Sequence, residues 1–478
     1  MFDCGVSSAD ITSTSIVFRA RVNNWQAGVP VLLHVWREQD GMTAYSQSTP
    51  AGAFGAEKDY NCKVVVDCLE PATRYGYQFT YMGEPSPIGS TQTLPAATAN
   101  PQTMRVAILT CQHWQEGYYQ ALAHMAAQNP DLVIHTGDYI YELVKSTPLP
   151  GREMSLPDGL LIDEGEVPST KEGYRYIYRT YQGDAALQAA HAVAPWFMIW
   201  DDHEGANDLY WNAAYNCPGS PTHPFNDNPA AMRELRAMYT QAFYEYTPMR
   251  GGTPLYRSVQ WGQLVEFLIL DCRSWRSPHP CGEAPRDRIF TPGCPEMLAP
   301  TQTMLGAEQL AWLLDRLANS TAQHKAIVSP VMLSDIWLPG PEQRRLLKTD
   351  GWSGYQHERQ LILDAAPAGT VFFSGDLHAA MQAVLLKSSG DIAGKEFMTP
   401  AASSKGIGPG LLNDLGLDEE THQAIIRGHN PEVGYFNGYT NGYLLVDFYP
   451  NAGSVALYLC DAQAGSEPAL AKTWIFTS

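Results

Sequence analysis

Leu132-Val133-Ile134-His135-Thr136-Gly137-Asp138-Tyr139-Ile140-Tyr141-Glu142 is the stretch around which the chain is organised. A short, β-branched apolar run breaks into a glycine and an acid. That is the pattern of a buried strand delivering Asp138 beyond its carboxyl end. In open α/β sheets, ligands and metals sit in the crevice at those ends. On its own the string also fits a satisfied strand-end aspartate with two packing tyrosines. Three other strand ends of the same chemical kind decide between the readings.

Upstream, Arg105-Val106-Ala107-Ile108-Leu109 is a second buried run and ends at Thr110-Cys111-Gln112-His113. Residues 116–128 carry a helical pattern stopped by Asn129-Pro130, so the unit is strand–helix–strand with a right-handed crossover. Downstream, residues 143–173 form a Pro/Gly/acid-rich insertion, expected as a surface loop or lid bordering the site. Residues 174–194 are helical in pattern and lead to Trp196-Phe197-Met198-Ile199-Trp200, then Asp201-Asp202-His203-Glu204. A strand over 265–270 ends at Asp271-Cys272-Arg273. An amphipathic helix over 308–318 precedes a strand over 325–329. A last strand over 370–374 ends in Gly375-Asp376-Leu377-His378, and strand patterns return after Tyr443.

Residues 1–95 are different. Ile16, Phe18, Ala20 and Val22 alternate with polar neighbours, as do Cys62, Val64, Val66, Cys68 and Tyr75, Tyr77, Phe79, Tyr81. This period of two at short spacing predicts an antiparallel β-sandwich. Leu69-Glu70-Pro71-Ala72-Thr73-Arg74-Tyr75 resembles the corner of fibronectin-type domains. Residues 86–102, rich in Pro, Ala and Thr, are expected as a linker to a second domain over 104–478.

With 478 residues the chain is too long for one hydrophobic core. A net charge of −19 argues against a nucleic-acid scaffold role, and no apolar run reaches the roughly 18 residues of a membrane span. An acidic protein acting on an anion needs local positive charge, and metal is the obvious source. Nine cysteines are too few here for a disulfide framework. Cys281 and Cys294 bracket a Pro/Gly-rich loop and either pair or stay free; a bridge would favour an oxidising compartment. Cys62 and Cys68 are too far apart along one strand to pair. No n-region or h-region follows Met1, so the expectation is export with the signal lying outside this sequence, or else residence in the cytoplasm.

Four strand ends thus present metal-competent groups: Cys111, Asp138 with Tyr141, Asp202 with His203, and Asp376 with His378. Singly, each is also explained as a small buried thiol, a helix cap or a turn. Together, at the carboxyl ends of alternating strands, they match a definite chemistry. A bridging carboxylate holds two cations, hydroxide forms near neutral pH, and a histidine protonates the leaving oxygen of a phosphate ester. Asp138, in the central strand of the series, is the natural bridge.

Thr110-Cys111-Gln112, Gly137-Asp138-Tyr139-Ile140-Tyr141-Glu142, Trp200-Asp201-Asp202-His203-Glu204 with Asn207-Asp208, and Ser374-Gly375-Asp376-Leu377-His378 make the chain recognisable. It resembles the alkaline phosphatase D family of metallophosphoesterases, relatives of the purple acid phosphatases, over nearly its whole length. The resemblance implies an α/β fold, with a four-layer α/β/β/α core behind the N-terminal antiparallel sandwich. It implies hydrolysis of small phosphomonoesters or phosphodiesters. Asp138 would bridge Fe(III) and a second cation, Ca(II) or another divalent ion. Cys111, Tyr141 and His378 would complete the iron site, and Asp202, Asp376 and Asn207 would hold the second metal. His203 would be the general acid or a phosphate ligand. On their own residue type, Arg273, Arg276, Arg175 and Arg179 are candidate phosphate clamps that fit surface or structural roles at least as well. Many relatives place a metal-binding His where this chain has Ser329-Pro330, which leaves the second site oxygen-rich and suited to calcium. Asp350-Gly351-Trp352-Ser353-Gly354-Tyr355 with Arg359 is expected to support the site from beneath. The alternatives are a diesterase or triesterase whose specificity is set by the 143–173 insertion, or a metal-stabilised binding protein without turnover.

Overall fold

Met104–Leu109, Leu132–His135 and Trp196–Met198 are apolar runs that pair in parallel, Ile108 beside Ile134 and Val133 beside Trp196. The computed structural model describes residues 1–478 apart from 50–53, 145–147, 158, 163–166, 252–253, 285–287, 341–343 and 413–417. Among the described residues, these strands lie in the middle of a nine-stranded sheet. On one side it continues through Asn441–Tyr449, Ala452–Cys460 and Ala469–Thr477; on the other through Val6–Ala9, Ile16–Arg21 and Asn61–Val66. A second, seven-stranded sheet contains its own parallel trio, Val265–Ile269, His324–Val328 and Thr370–Ser374.

Alternation sorts the second sheet's side chains into two layers. Val265, Phe267, Ala326, Val328, Val371 and Phe373 share a core with the first sheet, where Phe267 meets Phe448 edge to face at 5.6 Å. Leu268, Ile327 and Phe372 point the other way, onto Leu313 and Leu317 of the helix Gly306–Asn319 and Ile362 and Leu363 of Gln356–Ala365. The outer side of the first sheet is covered by Gln120–Ala127, which packs on Asn441–Tyr449, and by Ala185–Val193, which packs on Val6–Ala9. The result is helix, sheet, sheet, helix, as expected.

The N-terminal sandwich is present. Its second sheet is built from Thr43–Ser48, Val31–Arg37, Arg74–Tyr81, Glu84–Pro85 and Gly89–Gln92. Phe18 and Tyr77 touch across the sandwich at 4.8 Å, and the Tyr75 hydroxyl accepts the Glu70 N–H at 2.9 Å, closing the corner. Ala9 pairs in parallel with Trp196, so one sheet runs from the sandwich into the core.

Several expectations need correcting. The proposed linker contains a strand, Gly89–Gln92, which lacks apolar alternation because it lies against Arg74–Tyr81 at the sandwich edge. The first helix starts at Gln120 rather than 116, since Tyr118 N–H is taken by the Ala462 carbonyl at 2.7 Å. The helix expected over 174–194 is two, Lys171–Gln182 and Ala185–Val193; Asp184 accepts the Ala186 N–H at 2.8 Å and caps the second. The strand at Asn61 stops at Val66, which leaves Cys68 exposed in a turn. Cys281 and Cys294 are bridged. Of the 143–173 insertion, residues 145–147, 158 and 163–166 lie outside the described residues. Its described part is pinned by Arg152, paired with Asp184 at 2.7 Å and laid over Trp114, Tyr118 and Tyr119. No helix among the described residues is long and apolar enough to cross a membrane.

Candidate metal centre

The two parallel trios bring their carboxyl ends to one place. Cys111, Asp138, Asp376 and His378 all sit there in the left-handed region, at φ of 50°, 56°, 70° and 54°. For a non-glycine residue that conformation costs roughly 1–2 kcal/mol, a strain that collects at functional sites. Glycines let the turns close. A Cβ on Gly137, at φ 116°, would lie 2.5 Å from Asp201 Cβ. One on Gly375 would lie 2.5 Å from Thr110 Oγ1 and 2.8 Å from Thr136 Oγ1.

The side chains converge in three overlapping groups, each with donor atoms within 4.8 Å of one another: Cys111, Asp138, His378; Asp138, Asp202, His203; and Asp201, Asp202, Asp376. Asp138 belongs to the first two. Tyr141 Oη lies 2.9 Å from Asp138 Oδ2 and 2.9 Å from His378 Nε2, and Cys111 Sγ is 3.5 Å from Asp138 Oδ2. His378 Nδ1 donates to the Lys405 carbonyl at 2.8 Å, which leaves the Nε2 lone pair facing the cluster, the usual disposition of a metal-binding imidazole. His203 Nδ1 is held by Glu142 at 2.7 Å. The Tyr141 ring is stacked between His113, at 4.4 Å, and His203, at 4.2 Å.

The electrostatics call for cations. Burial pushes the Asp138 carboxyl well above the ordinary range, and Asp202, Glu204 and Asp376 add to the rise. Burial also raises Asp201 and Asp376. Burial pulls Asp202 the same way, but Arg273 and His203 outweigh it and its pKa falls. His203 is raised well above its usual value: burial opposes the rise, and Glu142, Asp202 and Asp138 overcome it. His378 is lowered to about 4 by burial. Among the described residues, Asp202 Oδ1 is buried and accepts no hydrogen bond, although Arg273 Nη2 stands 3.4 Å away. An orphaned carboxylate oxygen among crowded acids fits a bound cation. Thiolate, carboxylate, phenol and imidazole suit a transition metal on the first group; the all-carboxylate third group suits a hard cation.

Not every candidate joins the cluster. Arg273 has no exposed side-chain surface; it binds Asp201 at 2.5 Å and Asp350 at 3.0 Å, which places it behind the carboxylates. The reason is burial: an Arg one residue beyond Cys272 is held inside by Asp201 and Asp350, and cannot present itself to solvent. Arg276 is likewise bound to Asp350 at 2.9 Å, and Arg175 and Arg179 pair with Glu245 and Asp59 at the sandwich interface. Among the described contacts, the Asn207 side chain reaches Thr222 at 3.5 Å, and its N–H reaches Glu142. Ser329 is fully buried and accepts from Trp352 Nε1 at 3.0 Å. Asp350 also holds His279 at 2.7 Å, so the 350–355 segment does brace the site from beneath.

Sequence reasoning passed over several residues. Glu204 accepts the N–H groups of Asp138, Tyr139 and Asp201 and locks two strand-end turns together. Glu142 orients His203, and Asp201 stands beside Asp202. Lys348 contacts Asp376 Oδ1 at 2.5 Å. Glu142 and Glu204 lay inside the quoted motifs and were open to discovery. Lys348 carries no local signal.

The comparisons agree with this geometry. Residues 106–457 match the family model described as PhoD-like phosphatase, and residues 1–95 match PhoD-like phosphatase, N-terminal domain. Alkaline phosphatase D of Bacillus subtilis (strain 168) is 30% identical over 473 residues, covering 94% of this chain and 76% of that protein. A solved structure described as PhoD superposes with a TM-score of 0.84 at 28% identity, covering 100% of this chain and 90% of the other. The chain belongs to the PhoD-like phosphatase family and is a metal-binding phosphoric ester hydrolase.

Proposed function

We propose that the chain hydrolyses phosphomonoesters, phosphodiesters or both at a binuclear centre bridged by Asp138. The observation that supports it most is the double membership of Asp138 in two donor groups. Cys111, Asp138, Tyr141 and His378 would hold Fe(III); Asp138, Asp202 and Asp376, with Asn207 at the edge, would hold calcium or another hard divalent ion. When bound, the cations supply Lewis acidity, which makes water a nucleophile near neutral pH and offsets phosphoryl charge.

The chain's own residues do the rest. Glu142 fixes the His203 ring through Nδ1 at 2.7 Å and favours its charged form, so His203 Nε2 carries a proton for the leaving oxygen. Glu204 and Arg273 keep Asp138 and Asp201 in place. The Cys281–Cys294 bridge supports export to an oxidising compartment.

The experiment is elemental analysis with a screen of mono-, di- and triesters, run on the parent and His203→Ala. The parent should contain iron and turn over monoesters or diesters. His203→Ala should lose on the order of 10²–10⁴ in rate on alkyl esters and less on nitrophenyl esters, whose leaving group departs as an anion. Equal losses on both would remove the general-acid role, and a metal-free active parent would remove the binuclear reading.

A further inference from the structure

Arg273 is sealed behind the carboxylates, so a side-chain cation meeting the substrate beside the proposed metals has to come from elsewhere. Among the described residues, the cations bordering the cluster are Arg273 and Arg276, each with no exposed side-chain surface, Arg288, which is 2% exposed and paired with Asp208, Lys405, which is 60% exposed with its ammonium turned to Glu116 at 3.6 Å, and Lys348. Among the described residues, Lys348 is the cation touching a cluster carboxylate whose side chain reaches solvent, at 20% exposure. The other part-exposed members of the three donor groups are His203, at 13%, and His378.

The position of Lys348 is built. It follows the strand Arg345–Leu347, where Leu347 pairs with Phe290. Its N–H donates to the Ile289 carbonyl at 3.0 Å, its carbonyl accepts the Gly351 N–H at 3.2 Å, and its backbone is held at φ 56°. A lysine kept in the left-handed region, with its ammonium against Asp376, is not a casual surface charge.

We infer that Lys348 anchors a non-bridging oxygen of the substrate phosphoryl group. This rests on the binuclear reading above. The Asp202–Asp376 pair is expected to hold a cation, and that cation repels the ammonium across Asp376. A phosphoryl oxygen arriving at the mouth is then the favoured partner of Lys348. An ammonium binds phosphate as a point charge, without the bidentate geometry that an arginine would impose. The site would therefore tolerate differently oriented esters.

The test uses the metal-loaded parent, K348M and K348R, with inorganic phosphate as the probe. Phosphate is titrated calorimetrically and as a competitive inhibitor, and metal content is measured on the same samples. Loss of one charged hydrogen bond corresponds to about ten- to hundredfold in affinity. K348M should weaken phosphate binding and raise KM by that factor, with a smaller fall in kcat and unchanged metal content; K348R should recover part of the loss. K348Q gives the same comparison if the methionine variant does not fold. Phosphate affinity unchanged in K348M overturns the assignment. So does a loss that merely tracks lost metal, which would make Lys348 a support for Asp376. Failure of the hydrolytic reading looks different: a parent that binds phosphate yet turns over no ester.

Discussion

Tyr141 shows most plainly how single residues define the centre. Its ring is clasped by His113 and His203, and its hydroxyl is 2.9 Å from both Asp138 and His378. Burial, and then Asp138, push its phenol well above the ordinary tyrosine range, so only strong positive charge at the hydroxyl would make a phenolate accessible near neutral pH. Phenolate bound to Fe(III) absorbs visible light. With Fe(III) in the proposed site, the concentrated parent should be coloured, and Tyr141→Phe should bleach or shift the main band while some iron remains; Cys111→Ala serves as the comparison because a thiolate can add its own band. An unchanged spectrum in Tyr141→Phe would remove this tyrosine from the proposed iron site. At this scale the sequence was legible where partners are close, as with Asp138 and Tyr141 three residues apart. It was illegible where partners are distant. Arg273 looked available, but is matched by Asp201 and Asp350, each more than 70 positions away, and Lys348 meets Asp376 28 positions on.

The elements explain why these residues meet. Parallel strands place their carboxyl ends side by side, and the ends of two such trios bring their side chains within reach of one another. The turns depend on glycines that admit a neighbouring backbone. Gly137→Ala would set a Cβ 2.5 Å from Asp201 Cβ at φ 116°, an overpacking with strain that costs about 1–3 kcal/mol. We expect denaturant unfolding to show that loss, together with weakened metal binding; a fully stable, metal-replete Gly137→Ala protein would mean that the turn does not set the site. The strand ends were legible because apolar runs stop abruptly at polar residues, at Gly137-Asp138 and Gly375-Asp376 in two cases and at Thr110-Cys111 and Asp201-Asp202 in the others. The break at Gly183-Asp184 was not, since helical periodicity carries across it and only the Asp184 cap separates the two helices. The edge strand Gly89–Gln92 was missed because it carries no apolar face to read.

At the scale of the molecule, the pairing of Ala9 with Trp196 ties the sandwich to the core, and no local sequence feature announces it. Several of the chain's acids are buried together at the cluster, where burial raises Asp138 and Asp201. In the metal-free protein, burial raises Glu204 from 4.5 to about 7. An acid raised in this way stabilises the fold below pH 4.5, and its contribution is lost as pH rises toward 7. Glu116 works in the opposite sense: burial pulls it up, but His113 and Lys405 lower it from 4.5 to about 2, so its contribution is lost as pH falls toward 2. Buried His135 and His191, lowered to about 3, act in the opposite sense, so the Glu204 share is read by difference: in chelated protein, Glu204→Gln should lose less melting temperature than the parent on going from pH 5 to pH 8. A Glu204→Gln protein whose melting temperature changes with pH as the parent's does would contradict this.

The proposed function stands or falls on Asp138 joining two cations into one hydrolytic centre. Its most direct test is the metal content of Asp138→Asn beside that of the parent, with phosphate-ester turnover recorded on the same preparations. In Asp138→Asn both metals should fall together, and most of the activity should go with them. An Asp138→Asn protein with normal metal content and near-normal turnover would contradict it.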